Sequence, residues 1–383
     1  MGSDSRSSDS LSNFEIAELL CLEAEELKQP LQKAMRRAGR KAFLWPQEAS
    51  SIVEAGESLE QLPGIGPFLA KVVKRWLDNP PDVPTPPEIR QNFLTLTQAQ
   101  SILNSKAAKT WTTTGAIKGD LQMHTLWSDG EGSIREMADA GIARGYQYIS
   151  ITDHSKGLKI AGGIDEAQLQ KQAEEIEAVN SGLSADRHSF RVLHSIELNL
   201  NPSGEGDMDE KSLSRLDLVL GCFHSSLRKK DDQTGRYLAA LRNPSIQILG
   251  HPRGRIFNFR LGLTADWSQV FDLAAELDKA VEIDGYPDRQ DLSVDLLRLA
   301  KRSGCRISLG TDSHGPSQLR FMDFSLAAAI SAGIPRERIL NFMEADQLLA
   351  WASQVRQKTE HRTPIPPLPR PNIQLSYPGL GKR

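Results

Sequence analysis

The stretch Gly119-Asp120-Leu121-Gln122-Met123-His124-Thr125-Leu126-Trp127-Ser128-Asp129-Gly130 decides the fold. It follows a short apolar run, closes on an Asp-Gly turn signal, and sets Gln122, His124 and Asp129 on a loop where a strand gives way to a helix. His124 and Asp129 are good metal ligands, whereas the neutral carboxamide of Gln122 is a poor one. From residue 117 onward, short apolar runs alternate with helical segments, which predicts an α/β architecture with mainly parallel strands. The predicted strands are 117–121, 148–152, 191–197, 216–223, 246–250, 280–284 and 306–309. Seven strands interleaved with helices predict a barrel.

Chemistry-bearing residues then fall at the strand ends. His124 follows the first strand, Asp153-His154 the second, Glu197 ends the third, His224 ends the fourth, His251 ends the fifth, and Asp312-Ser313-His314 follows the seventh. The C-terminal ends of parallel strands converge on one mouth, where α/β active sites are built. Five of the eight histidines are thereby aimed at one place. One histidine near a strand end is ordinarily structural; the joint placement carries the inference. More imidazole and carboxylate donors gather there than one ion needs, so a multinuclear centre of zinc or manganese, with iron as a third option, is expected. His188 lies in a polar loop, His361 in the tail, and His194 on the opposite strand face from Glu197, so all three are excluded. Cys222 shares the face of His224 and is read as a small residue lining the barrel.

The N-terminal part has a different character. Residues 1–12 are Ser- and Asp-rich and expected to be disordered. A helix is predicted from Phe14, then a second from about Pro30 to Ala42 whose Lys33, Arg36, Arg37, Arg40 and Lys41 form one basic stripe. Ser58-Leu59-Glu60-Gln61 reads as a capping box opening a short helix, Leu62 to Pro67 as a tight turn, and Pro67 as the first residue of another helix. This segment resembles the helix-hairpin-helix module of DNA repair proteins. The resemblance implies phosphate contacts from Gly64, Ile65 and Gly66, with Lys71, Lys74, Arg37 and Lys41 adding charge and no bases read. Residues 79–116 are expected to be a Pro-rich linker and connecting segment, and residues 354–383 a Pro-rich tail. The net charge of −3 gives no global case for a polyanion- or membrane-binding protein, so any basic patch is local. Three scattered cysteines fit a reducing compartment, and no apolar run reaches the roughly 20 residues a membrane span needs. A cytoplasmic location is expected; the oligomeric state stays open.

The segments 119–130, 151–155, Glu197, 221–225, 249–252 and 310–314 together resemble the successive motifs of the PHP (polymerase and histidinol phosphatase) superfamily. The likeness extends over about 117–353 and is strongest to the PHP domain of bacterial family-X DNA polymerases, through Thr152-Asp153-His154-Ser155-Lys156, Gly250-His251-Pro252-Arg253-Gly254-Arg255 and 282–289. Residues 13–78 resemble the small N-terminal domain of those polymerases. The segment between is too short for a nucleotidyltransferase palm, so no polymerase activity is expected. The resemblance implies a distorted seven-stranded (β/α)7 TIM-like barrel preceded by a small all-α helix-hairpin-helix domain. It also implies three metals: one on Gln122, His124, Glu197 and Asp312, a second on Glu197, His224 and His251, and a third on Asp129, His154 and His314. Family members carry His where this chain has Gln122, and usually Gly and Asp at Ser195 and Asn199.

The activity so implied is metal-dependent hydrolysis of a phosphate ester at a DNA end or 3′ terminus, in which bound cations acidify a water for in-line attack. Arg253 and Arg255 are expected to neutralise the substrate phosphate, with Lys156 and Arg289 as lesser candidates, and a protonated His154 to assist the leaving group. Two alternatives stand beside it: a small-metabolite phosphatase of the histidinol-phosphatase type, and a PHP module that has lost catalysis and only binds DNA.

Overall fold

The computed structural model describes residues 10–112, 116–186 and 189–361; residues 1–9, His188 and the Pro-rich segment at 363–371 lie outside them. Seven strands form one all-parallel sheet in sequential order: β1 (Gly119–Asp120), β2 (Tyr148–Ile151), β3 (Arg191–Asn199), β4 (Leu218–Cys222), β5 (Ile248–Leu249), β6 (Ala280–Asp284) and β7 (Arg306–Gly310). β1 meets β7 through Leu121 N to Leu309 O (3.4 Å), Asp312 N to Gln122 O (3.1 Å) and His124 N to Ser313 O (2.7 Å). Lower down, Asn341 takes over the pairing. Its amide donates to Gly119 O and Leu309 O and accepts from Leu309 N, so a side chain satisfies backbone groups that strands 1 and 7 leave open. The expected distorted seven-stranded barrel is therefore observed.

Strand alternation divides the core. Outward residues such as Ile149, Ile151 and Val192 pack on Ile134 and Met137 of the first barrel helix. Inward residues, including Leu121, Tyr148, Leu193, Leu220 and Ile248, form a separate cluster with Leu348 and Trp351 of the helix Ala345–Glu360. That last helix closes the N-terminal end of the barrel, tied by Trp351 Nε1 to Asp278 O (3.0 Å). It runs past the expected boundary at residue 353, because Val355 belongs to the same core.

The N-terminal segment folds as α1 (Asn13–Glu26), α2 (Leu31–Ala42), α3 (Ala49–Glu54), a single 3-10 turn at Leu59–Gln61, and α4 (Pro67–Asp78). Contrary to expectation, order begins before residue 13: Leu11 is buried and Ser12 caps α1 in a reciprocal box with Glu15. Ser58 caps only the 3-10 turn, through Glu60 N, so the short helix expected there is a single turn. Nor is the connecting segment a plain linker. Arg90, 3% exposed, binds Glu18 through two nitrogens at 2.8 Å each and reaches Glu25 (2.9 Å) and Asn258 Oδ1 (3.0 Å). Phe43, Phe93 and Phe257 form an edge-to-face trio with centroids 4.6 to 6.2 Å apart. Helix α5 (Leu96–Leu103) then packs Leu96 and Ala99 on Phe324 and Ala327. The N-terminal helices are thus fastened to the loop after β5.

A candidate metal centre at the barrel mouth

Glu197 is the hub. It is fully buried near the end of β3, and four side chains converge on it: His224 Nε2 at 2.7 Å and His251 Nε2 at 2.8 Å from Oε1, Gln122 Nε2 at 3.0 Å and His124 Nε2 at 3.2 Å from Oε2. His154 Nδ1 stands 3.7 Å from the same oxygen. His124 also lies 2.9 Å from Asp312 Oδ1, while His154 and His314 each present Nε2 at 3.5 Å from Asp129 Oδ1. Four sets of donor atoms fall within 4.8 Å of one another: His124, Asp129, His154, His314; His154, Glu197, His224; Glu197, Cys222, His251; and His124, Glu197, Asp312. The strand-end histidines therefore meet as the sequence predicts. The grouping differs from the expectation in three respects: His124 joins the Asp129 set, His154 rather than His251 sits with Glu197 and His224, and Cys222 sits with Glu197 and His251.

Local chemistry aims the rings. Asp153, placed at the mouth by β2, accepts Thr125 N (2.8 Å), the Thr125 hydroxyl (2.7 Å) and the Gln172 amide (2.7 Å), which locks the 124–128 loop beside His154. His314 Nδ1 lies 2.8 Å from Asp312 O and His224 Nδ1 3.1 Å from Asn199 Oδ1, so each turns Nε2 toward the carboxylates. Asn199, which departs from the family pattern, still supplies an acceptor there; Ser195 is buried below, bonded to Ser150 (2.7 Å). Gly310 is required: a Cβ there would strike Glu282 Oε1 and come within 2.8 Å of Gln122 Cβ.

The electrostatics suit cations. Burial pushes Glu197 upward, but the neighbouring imidazoles of His154 and His251 and hydrogen bonds from His124 and His224 outweigh it and hold the carboxyl well below its usual range. Burial likewise opposes ionisation of Asp312, yet Arg289, with Nη1 2.9 Å from Oδ2, and His124 depress it. Burial raises the Cys222 thiol, and Glu197 and Glu282 push it further, so it is a neutral thiol in this arrangement. Burial lowers His154 to about 3. Burial thus favours the neutral ring, which suits a ligand better than the expected protonated leaving-group acid.

Three further expectations change. Arg255 is 4% exposed, with Nε donating to Arg289 O (2.9 Å), Nη2 to Asn92 O (2.6 Å) and its guanidinium 3.8 Å over Phe93. Arg253 donates to Leu263 O (3.3 Å) and Leu261 O (3.0 Å). Both guanidiniums are engaged with backbone carbonyls of the loop on which the N-terminal helices dock, and the guanidinium that reaches the cluster is Arg289. Lys156 is paired with Glu166 at 2.6 Å. Ile65 is a core residue whose N–H donates to Leu62 O (3.1 Å), so it has no free amide for a phosphate. Gly64 takes φ +86° and lies directly against the Lys41 stem, placing basic helix and turn side by side. Arg37 and Lys71 are exposed, and Lys74 pairs with Asp78 (2.9 Å).

Sequence reasoning missed Glu282 and Asp284. Both are fully buried; Glu282 accepts His251 N (2.7 Å), and burial raises it to about 8. Two carboxylates alternating on one barrel strand, both on the face of Ala280, were the available signal.

No helix among the described residues is long and apolar enough to cross a membrane. No protein-family model matches the chain. It is 37% identical over 257 residues to the DNA polymerase/3'-5' exonuclease PolX of Bacillus subtilis (strain 168), a match covering 67% of this chain and 43% of that protein. The chain thus spans less than half the length of that relative. It is 25% identical over 232 residues to a probable phosphatase of Acetivibrio thermocellus, covering 58% of this chain and 90% of the relative. Among solved structures, a histidinol phosphate phosphatase from Lactococcus lactis, in complex with zinc, L-histidinol and phosphate, aligns over 57% of this chain and 95% of its own, at 18% identity and a TM-score of 0.41. The chain is a homologue of PolX and of the bacterial probable phosphatases.

Proposed function

We propose that this protein is a metal-dependent phosphoesterase acting on the phosphate esters of DNA ends, with residues 117–353 as the PHP-type catalytic domain and 13–78 as a helix-hairpin-helix DNA clamp. The observation that carries the reading is the shared carboxylate: Glu197 lies within 3.2 Å of three histidines at the mouth of a parallel barrel. The donor set fits divalent cations. Buried Gln122 Oε1, His124 Nδ1, His154 Nδ1 and Glu282 Oε1 have no hydrogen-bond partner, an arrangement that costs free energy unless a further group is supplied. Imidazole with carboxylate suits zinc or manganese.

Glu197 is shared by three donor sets, with His154 and His224, with Cys222 and His251, and with His124 and Asp312, while His124, Asp129, His154 and His314 make a more open one that runs from buried His154 to exposed Asp129. Two to three ions are accommodated, with Gln122 as the weakest donor. Such ions, when bound, acidify a water and polarise a phosphoryl oxygen. Arg289, part-exposed beside Asp312, meets the phosphate oxygens, and buried Glu282 orients His251 through its backbone N–H. The basic face of α2 and the Gly64 turn hold the DNA backbone, through phosphates and without reading bases.

Elemental analysis of protein purified without added metal should find two to three zinc or manganese ions. The manganese- or zinc-loaded protein should hydrolyse end-labelled DNA and a chromogenic phosphate ester; failure on both would refute the reading. Similarity to probable phosphatases, one of them covered to 90% of its length, favours a second reading, a small-ester phosphatase. Arg37→Glu/Lys41→Glu separates them. The ratio of DNA to chromogenic-ester hydrolysis falls for a DNA enzyme and is unchanged for a metabolite enzyme. Truncation at residue 92 is a poor test, because it would strip Phe43 from Phe257 and leave the buried Arg255 without Asn92 O.

A further inference from the structure

Two loops leave the mouth beside the centre and meet again outside it. One runs from His224 to Arg228, Lys229 and Lys230; the other runs from His251 to Phe259 and Arg260. Phe259 is 54% exposed, although most aromatic rings of the chain are buried, and the Arg228 guanidinium lies 4.6 Å from its centroid. Together with Ile89, Lys230, Arg260 and Leu261 they border a cavity of about 500 Å³. Among the described residues no carboxylate lies within 4.0 Å of the charged nitrogens of Arg228, Lys229, Lys230 or Arg260. The acidic residues that follow are engaged elsewhere: Asp231 Oδ2 accepts from Gln233 (3.0 Å) and Asp232 Oδ1 from Thr234 (2.7 Å). Burial, and then the like charges of Arg289 and Arg228, lower the pKa of Arg260, against a smaller opposing pull from Asp291 and Asp288, so the three guanidiniums sit within electrostatic reach of one another. Arg289 in turn touches Asp312. A line of cations therefore runs from the centre to the Arg228–Phe259 pair.

We propose that this surface is a subsite for an unpaired nucleotide, in which a base stacks on the Phe259–Arg228 pair while Arg260 and Lys230 hold the flanking phosphates, so that the preferred substrate is a single-stranded DNA end. An exposed ring carrying a guanidinium, bordered by cations without a carboxylate partner, among them Arg260, whose Nε donates to Gly254 O, matches the two things every nucleotide offers, a π-face and a phosphate. A duplex keeps its bases stacked internally and cannot make the ring contact.

The proposal rests on the DNA-end reading of the centre, but its test needs no hydrolysis. Binding of a 5′-fluorescein ten-residue oligothymidylate and of a labelled blunt hairpin is followed by anisotropy in EDTA with the full chain. Phe259→Ala should weaken oligothymidylate binding about tenfold, the loss of one stacked base, with a smaller effect on the hairpin. Phe259→Trp should restore it. Arg228→Ala should lower the log–log salt slope for the oligothymidylate by about 0.7, whereas Lys301→Ala, on the outer helix Val294–Ser303, should not. The subsite is overturned if Phe259→Ala binds oligothymidylate as tightly as wild type, or loses equally on the hairpin. If Phe259→Ala weakens binding while the metal-loaded protein hydrolyses no ester, the subsite stands and the phosphoesterase reading falls. If the metal-loaded protein hydrolyses esters while Phe259→Ala binds like wild type, the phosphoesterase reading stands and the subsite falls.

Discussion

Gln122 is the residue whose replacement is most informative. Its amide donates to Glu197 Oε2 at 3.0 Å, and its carbonyl oxygen, wholly buried, has no partner. Turning the amide over would set oxygen against carboxylate, so the orientation is fixed by Glu197. The structure thus holds an unpaired acceptor beside His124, Glu197 and Asp312, at a free-energy cost of about 1–3 kcal/mol. Gln122→His removes that acceptor and offers an imidazole nitrogen at the same depth. Recovering the cost only in the metal-bound state corresponds to about a 5- to 150-fold gain in affinity for one ion, so a tenfold gain is the central expectation. Metal retention after dialysis against graded chelator, read by elemental analysis, measures it, and hydrolysis of a chromogenic ester should rise in parallel. The reasoning is refuted if retention and turnover both match wild type, because the amide oxygen then already serves as well as imidazole.

Three further outcomes follow from the same geometry. Glu197→Gln keeps the shape but removes the carboxylate common to three sets, and should cost at least one bound ion per chain and about 100-fold or more in hydrolysis, by elemental analysis and ester assay. Lys279 is fully buried with Nζ 2.6 Å from Asn243 O, and burial lowers its pKa from 10.5 to about 7. Between pH 7 and 10.5 the unfolded chain holds this proton and the folded chain does not, so stability rises with pH there, by up to about 5 kcal/mol, and the cost of burying the charge is full below pH 7. Lys279→Met should raise the denaturation midpoint at pH 6 and flatten that rise; an unchanged slope in denaturant titrations at pH 6 and 9 contradicts the assignment. Arg255→Lys should cost roughly 2 kcal/mol in the same titration, through loss of the forked contacts to Arg289 O and Asn92 O, whereas a phosphate clamp would leave stability alone and raise KM.

Much of the barrel and its ligands is legible in the sequence because both follow from local rules. The short β-prone segment Ala280-Val281-Glu282-Ile283-Asp284 predicts β6 at its observed bounds, and a histidine just past a predicted strand lies at the mouth wherever the helices pack. β1 and β5 are shorter than predicted, two residues each, because a strand needs a partner in register. Beside β1 that role passes to Asn341, more than 200 residues away. Arg253 and Arg255 mislead for a related reason. An arginine two residues after a strand-end histidine looks aimed at substrate, and only the contact of Phe257 with Phe43 and Phe93 shows that this loop is a docking surface. Glu282 was missed for the opposite reason: strand alternation assigns it inward, but a buried carboxylate without an evident partner has no local motif.

That docking surface links the two halves of the proposed function. The Phe43, Phe93 and Phe257 rings are each at most 6% exposed, and Arg90 adds a buried ion pair beside them, so the orientation of α2 on the barrel is set by packing. Phe257 N donates to Asp288 O (2.7 Å), and Arg255 to the carbonyl of Arg289, so the aromatic trio also positions the segment that carries the guanidinium beside Asp312. Arg40 of α2 acts electrostatically on Asp288 from the other side. On the proposed reading, a backbone gripped by the basic face of α2 would be delivered toward Arg289 and the carboxylates without a flexible joint between clamp and centre. Loosening the trio should then uncouple grip from hydrolysis, because clamp and centre would no longer share a fixed geometry.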